Sequence, residues 1–229
     1  MADTRTDEMY GALRSNWRQR SRANGYQLEG FFRAEQRLIL NALADDSYPI
    51  VDIACGSGLM ILPRRSSDVV GIDYNEEACR SAVENGLPTI RGDAFQLPLA
   101  QESVGQIVNC QFLNQQNDTD TERYLRECYR VLKPGGRLIM TWRHASSWLH
   151  RLATVYLRLR RDPAAAFVQY THACGQVTGL AESLGFEVET VSVTKPYPSR
   201  RNLKTDSFLA SIMGASFFMV ARRPGQAQR

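Results

Sequence analysis

A largely apolar run at residues 49–54 breaks into Cys55-Gly56-Ser57-Gly58, and no other feature limits the possible folds of this chain as tightly. The run reads as a strand. Two glycines directly after it let the backbone turn sharply and approach a ligand without interference from a Cβ. The turn is expected to open a helix whose N-terminal N–H groups face a carboxylate or another polar group. Asp73 follows Asp52 by twenty-one residues and closes the next apolar run, 68–73. An acid placed there can accept hydrogen bonds from both hydroxyls of a ribose. Any tight strand–helix junction can use a glycine turn, but the turn and the acid together point to a nucleoside ligand.

Two nucleoside classes compete, a nicotinamide dinucleotide and S-adenosylmethionine. The dinucleotide fingerprint is G-x-G-x-x-G, whose third glycine packs helix on strand. Here Gly58 is followed by Leu59, Met60 and Ile61, so the third glycine is absent, and Asp52 inside the strand end is atypical of that fingerprint. The spacing favours S-adenosylmethionine.

Downstream the pattern alternates. Strand-like runs at 49–54, 68–73, 88–91, 105–109 and 137–142 are interleaved with helix-like segments at 75–85 and 119–132, the latter closed by Lys133-Pro134-Gly135-Gly136. Alternation of this kind predicts a parallel sheet with helices on both faces. A helix over about 171–184 ends at Gly185, and two further strand-like runs follow at 186–193 and 215–221, with a short helix near 206–213 between them. Ahead of the sheet, 7–22 carries Tyr10, Leu13 and Trp17 at helical spacing, and 29–44 carries Phe32, Leu38, Leu40 and Leu43. The expected division is an N-terminal helical lid at 1–45, one domain at 46–224 with a helical cap insertion at 147–184, and a tail at 225–229. Within the insertion, 147–161 places Trp148, Leu152, Val155, Tyr156 and Leu159 on one stripe beside arginines, which reads as a cap over a pocket or as a surface resting on a membrane.

The bulk numbers narrow the class. No stretch approaches the roughly 18–20 apolar residues of a membrane span, and the opening residues are polar without a secretory apolar run, so a cytoplasmic protein is expected. Five cysteines, none in a C-x-x-C pair, indicate neither a zinc site nor a disulfide framework, and no metal is expected. Net charge is +4, and of 28 cations Lys133, Lys195 and Lys204 alone are lysine. Arginine suits phosphate sites, but the basic residues are spread through the chain, so a stable nucleic-acid partner is not expected. Homodimerisation is left open.

With these residues in view, the chain resembles the class I S-adenosylmethionine-dependent methyltransferases, in their small-molecule branch that includes quinone and lipid methylases. Residues 51–58 resemble the family's first motif, with Ala54 in place of its usual first glycine, and 69–75 resemble the second. Gly92-Asp93-Ala94-Phe95-Gln96-Leu97-Pro98 is similar to the segment that holds the adenine amino group. Residues 124–138 match the family's helix, tight turn and fifth strand, and 183–188 match the lead into its sixth. The resemblance implies a Rossmann-like α/β three-layer sandwich with a seven-stranded, mostly parallel sheet whose last strand is antiparallel. It places Asp52, Ala54, Gly56 and Gly58 around the methionine end of the cofactor, Asp73 on the ribose, and Tyr74 on the adenine. Asp93 and Ala94 would meet the adenine edge, with Asn109 and Gln111 near the methionine amino group. The chain departs from the family at Val104-Gly105, where an aromatic-Asp pair is common, and at Asn114-Gln115, where a histidine pair is common.

Methyl transfer from a sulfonium is an in-line displacement, so the protein chiefly positions the acceptor and excludes water, yielding S-adenosylhomocysteine. A base is needed only where the acceptor loses a proton. His144, after the fifth strand, and His172 with Tyr170, before the helix leading to strand six, are the candidates; His150 ranks lower within its helix. The expected function is O- or N-methylation of a small molecule. The alternatives are a lipid or quinone methyltransferase at a membrane surface, a nucleic-acid methyltransferase, and a non-catalytic cofactor-binding partner. An N-P-P-Y-type tetrad is missing after the fourth strand, where Asn109-Cys110-Gln111-Phe112 stands, and this argues against base amino methylation.

Overall fold

The apolar runs pair into one sheet. In the computed structural model, which describes residues 31–64, 68–144, 170–194 and 216–225 and positions 152, 155, 156 and 159, seven strands form it. They are β1 (Ile50–Ile53), β2 (Val69–Asp73), β3 (Thr89–Arg91), β4 (Val104–Cys110), β5 (Leu132–Arg143), β6 (Glu187–Thr194) and β7 (Ser216–Arg222). Their order is β3-β2-β1-β4-β5-β7-β6. β7 runs antiparallel to β5 and β6, and every other pairing is parallel. The chain winds outward from β1 in one direction and from β4 in the other, so β1 and β4 flank the switch point, where open α/β sheets bind ligands beyond the strands' carboxyl ends.

Central parallel strands are covered on both faces and therefore read as continuous apolar runs. One core packs α3 (Asp118–Val131) and α4 (Cys174–Ser183) on the sheet through Tyr124, Leu125, Val131, Val177 and Ala181. The other packs α1 (Phe31–Ala42) and α2 (Glu76–Glu84) through Ile39, Leu43 and Ala82. These are the three expected layers. Asn75 caps α2 by accepting from the Glu77 amide, and Asn117 caps α3 by accepting from the Asp120 amide.

Three local expectations are corrected. The glycine turn does not open a regular helix: residues 54–61 form turns followed by a single 3-10 turn, Leu62–Arg64, because Ala54, Gly56 and Gly58 all take positive φ and no helix nucleates through alternating left-handed residues. α1 turns Glu35 and Ile39 inward, with Leu43 buried just beyond its end, while Leu38 and Leu40 are half-buried flanks. The Lys133–Gly136 stop ends α3 but is looped out within β5, whose pairing with β4 jumps from Val104–Leu132 to Gln106–Arg137.

The departure at Val104-Gly105 has a steric cause. A Cβ on Gly105 would lie 2.7 Å from the Ser47 backbone. The neighbouring Gln106 is fully buried and satisfied by that same segment: it accepts from the Ala44 amide and donates to the Ala44 and Ser47 carbonyls. The strand thus trades a larger residue for close docking of the α1–β1 connection. The expected helices at 7–22 and 206–213, the tail beyond 225, His150, Trp148 and the lid aromatics Tyr10, Trp17 and Tyr26 lie outside the described residues.

Candidate active site

The glycine turn is held by the acid that ends β2. Gly56 N–H donates to Asp73 Oδ2 at 2.9 Å, and Asn75 N–H donates to Asp73 Oδ1 at 2.8 Å. The carboxylate is thereby aimed across the ends of β1 and β2. The two glycines differ. At Gly58 (φ +73°) a Cβ would meet Leu87 Cδ2 at 2.8 Å, so this glycine is required by packing. At Gly56 (φ +57°) a Cβ would meet nothing within 4 Å, which leaves open space over the turn. Ala54 takes φ +56° despite its methyl group.

Asp52 lies beneath this turn, 1% exposed, and its Oδ2 is buried without a hydrogen-bond partner among the described residues. Burial, then the charge of Asp73, pushes its carboxyl up to about 8. Burial also raises Asp73, against the lowering effect of the amides of Asn75, Gly56 and Tyr74. On the far side, Gly92 N–H donates to the Asp73 carbonyl, which sets Asp93 beside the end of β2. Asp93 is exposed, turns its Oδ1 onto the Phe95 amide, and precedes buried Ala94. Arg91 lies 5.9 Å from the Tyr74 ring and donates to the Tyr74 carbonyl.

At the end of β4, Asn109 is fully buried; its Nδ2 donates to the Ile53 carbonyl at 2.8 Å, and its Oδ1 has no partner among the described residues. Gln111 sits at φ +64°, with its amide on the Thr141 carbonyl. Its side chain donates to Glu35 Oε1 at 2.6 Å and to Ser216 Oγ at 2.8 Å, and accepts from Asn114 Nδ2 at 2.6 Å. Asn114 in turn accepts from the Arg143 amide through Oδ1 and from the Tyr170 amide through its carbonyl. Glu35, Thr141 and Ser216 were not among the expected site residues. The available signal for Glu35 was an acid standing four and eight residues before Ile39 and Leu43, on the apolar stripe of α1.

Two of the three base candidates meet beyond β5, while the third, Tyr170, lies two residues before His172. A parallel bridge joins His144 to His172. His144 is buried and stacked 4.2 Å from the Phe217 ring; burial lowers its pKa, and its Nδ1 has no partner among the described residues. His172 ties down the loop after β4: its Nε2 lies 3.1 Å from the Leu113 carbonyl and 2.9 Å from that of Gln116, and its Nδ1 lies 3.3 Å from Asp118. Tyr170 is partly exposed. No cluster of potential metal ligands occurs among the described residues.

Residues 51–140 match the methyltransferase domain family. Over these residues the chain carries a methyltransferase domain, in line with its resemblance to the class I S-adenosylmethionine-dependent methyltransferases. The demethylmenaquinone methyltransferase of Streptomyces avermitilis is 33% identical over 136 residues, 56% of this chain and 58% of that protein. A probable S-adenosylmethionine-dependent methyltransferase of Mycolicibacterium smegmatis is 29% identical over 145 residues, 61% of this chain and 52% of that protein. The chain thus spans little more than half the length of these relatives. In fold, it is similar to a methyltransferase of Thermotoga maritima described as a possible histamine N-methyltransferase (TM-score 0.69, 20% identity, 94% of this chain and 99% of that one).

For a methyltransferase of this class the cofactor is S-adenosylmethionine, and the residues present fit it. Asp52 Oδ2 and Asn109 Oδ1, without partners among the described residues, are buried acceptors of the kind an α-ammonium satisfies. The open face of Gly56 leaves room for the amino-acid portion, and Asp73 already presents its carboxylate at the strand end where a ribose would lie.

Proposed function

We propose that the protein transfers a methyl group from S-adenosylmethionine to an oxygen or nitrogen of a small-molecule acceptor. The observation that carries this reading is the juxtaposition, at the switch point, of a left-handed glycine turn with two unpartnered buried acceptors, Asp52 Oδ2 and Asn109 Oδ1. The cofactor supplies the activated methyl group. Asp52, Ala54, Gly56, Gly58, Asn109 and Gln111 surround its methionine end, Asp73 holds the ribose, and Tyr74, Asp93 and Ala94 line the adenine. Asn114 and the residues beyond β5 face the acceptor. Of the base candidates, His144 is favoured where the acceptor must lose a proton, because the His172 ring is engaged through Nε2 on two carbonyls, although Nδ1 of either ring lacks a hydrogen-bond partner among the described residues.

Calorimetry with S-adenosylmethionine and S-adenosylhomocysteine tests the shared premise: both should bind, and failure of both refutes it. Transfer of labelled methyl to metabolite, lipid and RNA fractions then identifies the acceptor. Label confined to RNA would replace the small-molecule reading, and label nowhere would favour a non-catalytic partner.

A second reading, a quinone or lipid acceptor taken at a membrane surface, has its own support. Leu152, Val155, Tyr156 and Leu159 are helical, recur at i, i+3, i+4 and i+7, and are 52–78% exposed. Several relatives are demethylmenaquinone methyltransferases. Flotation with anionic liposomes decides it: a protein that stays in the lower fraction does not work at that surface. Among the described residues no helix is long and apolar enough to cross a membrane.

A further inference from the structure

Glu35 lies in α1, outside every family motif, yet its carboxyl sits where β4, β5 and β7 meet, fully buried. Gln111 Nε2 donates to Oε1 at 2.6 Å; Cys110 Sγ and Thr141 Oγ1 donate to Oε2 at 3.2 and 3.4 Å; the Ser216 side chain adds a fourth bond. All four donors are neutral. The groups facing it are Cys110 from β4, neutral Thr141 and (by charge) Arg143 from β5, and neutral Ser216 from β7. Burial outweighs these donors and pushes the carboxyl up to about 7, so it changes charge near neutrality. Cys110 and Gln111 directly follow Asn109, which is bonded to Ile53 at the head of the glycine turn. Glu35 is therefore one bonded contact from the strand end assigned above to the methionine portion of the cofactor.

We propose that Glu35 is a specificity-determining residue that, as a carboxylate behind the ends of β4 and β5, favours the positively charged sulfonium of S-adenosylmethionine over the neutral thioether of S-adenosylhomocysteine. The proposal rests on the cofactor reading above. In a buried, weakly polarisable setting a charge acts beyond contact range, and neutral donors fix the carboxylate in place without cancelling it. Asp52 is also buried and titratable; its contact with the ammonium, present in both ligands, cancels in their affinity ratio, and any longer-range effect it has on the sulfonium persists in Glu35→Gln. By linkage, a ligand that prefers ionised Glu35 must displace its proton, and binds more tightly as pH rises towards the titration point of that carboxyl. Once the methyl group has left, the sulfonium charge is gone and the product loses this advantage.

The test is calorimetry on the full chain with each ligand at pH 5.5 and 7.0, where the α-amino groups of both stay protonated. In the wild type the preference for S-adenosylmethionine over S-adenosylhomocysteine should grow about fivefold or more between these pH values. In Glu35→Gln the growth should be clearly smaller. A constant ratio in the wild type, or an equal rise in Glu35→Gln, overturns the proposal while leaving the cofactor reading intact. Absence of binding by both ligands overturns the two together. A second measurement needs no variant: at pH 6.5, in buffers of different ionisation enthalpy, S-adenosylmethionine should release more protons on binding than S-adenosylhomocysteine, and equal release refutes the assignment.

Discussion

The two halves of the sheet's carboxyl edge hold their polar groups by different means. From β1 to β3 the work is done by backbone: left-handed turns, an amide on Asp73 from Gly56, and another from Asn75. From β4 to β7 it is done by side chains, with Glu35, Gln111, Asn114, Thr141 and Ser216 joined in one polar network. Backbone geometry can be broken only by changing the path of the chain. A side-chain network can be retuned one residue at a time. The contrast predicts that substitutions in the first half act through fold and cofactor affinity, and those in the second through satisfaction of polar groups.

The largest effect should come from Gly58→Ala. The new Cβ meets Leu87 at 2.8 Å and the residue must keep φ +73°. Overpacking and the left-handed penalty together should cost about 2–5 kcal/mol, read as a drop in denaturation midpoint. Gly56→Ala is the control that sharpens the point. It carries a similar backbone penalty of about 1–2 kcal/mol but no clash, so calorimetry should show lost cofactor affinity in a protein that still folds. Equal destabilisation by the two would mean that the open face of Gly56 has no ligand-related meaning.

Next comes Asp52→Asn, which separates folding from binding through pH. Asp52 titrates near 8 when folded, against 3.8 ordinarily. Between these values the unfolded chain carries the charge and the folded protein retains the proton, so the contribution of Asp52 to stability falls as pH rises from about 4 to about 8. The cofactor-free wild type should therefore lose, relative to Asp52→Asn, up to about 1.4 kcal/mol per pH unit across that window. Urea denaturation at pH 5, 6.5 and 8 measures it; a pH-independent difference would show that Asp52 is ionised in the folded protein. With cofactor bound, the ammonium should stabilise the carboxylate and the slope should flatten.

The same contrast explains what could be read in advance. Asp73 and Gly56 are 17 residues apart and Asp73 and Asn75 are two apart, so the turn, the acid and all seven strands are written in local patterns of glycine, charge and apolar runs. Gln111 and Ser216 are 105 residues apart, and Glu35 and Thr141 are 106. No local pattern links them, because their partnership exists only once β4, β5 and β7 are side by side. The glycine turn was legible as a motif but misleading as a helix start, since its alternating positive φ values are a tertiary outcome. His172 looked like chemistry in the sequence; in the fold its ring spans two carbonyls of the loop after β4.

The smallest expected effects bring the comparison down to one matched pair. Ala54 and Gln111 are both non-glycine residues in the left-handed region, at φ +56° and +64°, one in each half of the edge. Glycine relieves a penalty of about 1–2 kcal/mol at either position and regains about 0.5–1 kcal/mol of unfolded-chain freedom. For Ala54→Gly these are the main terms, and the variant should be more stable by a few tenths to about 1 kcal/mol, a rise of roughly 1–4 °C in Tm. For Gln111→Gly the side chain is lost as well, leaving Glu35 without its shortest bond, Asn114 Nδ2 without its acceptor and Ser216 Oγ without its donor. Unsatisfied buried groups cost about 1–3 kcal/mol, which exceeds the relief, so this variant should be the less stable of the two by about 1–2 kcal/mol. If both substitutions stabilise equally, the network around Glu35 contributes nothing to the fold and the division between a backbone-built and a side-chain-built half does not hold. If they differ in sign, the strain at Gln111 is maintained by the bonds its side chain makes.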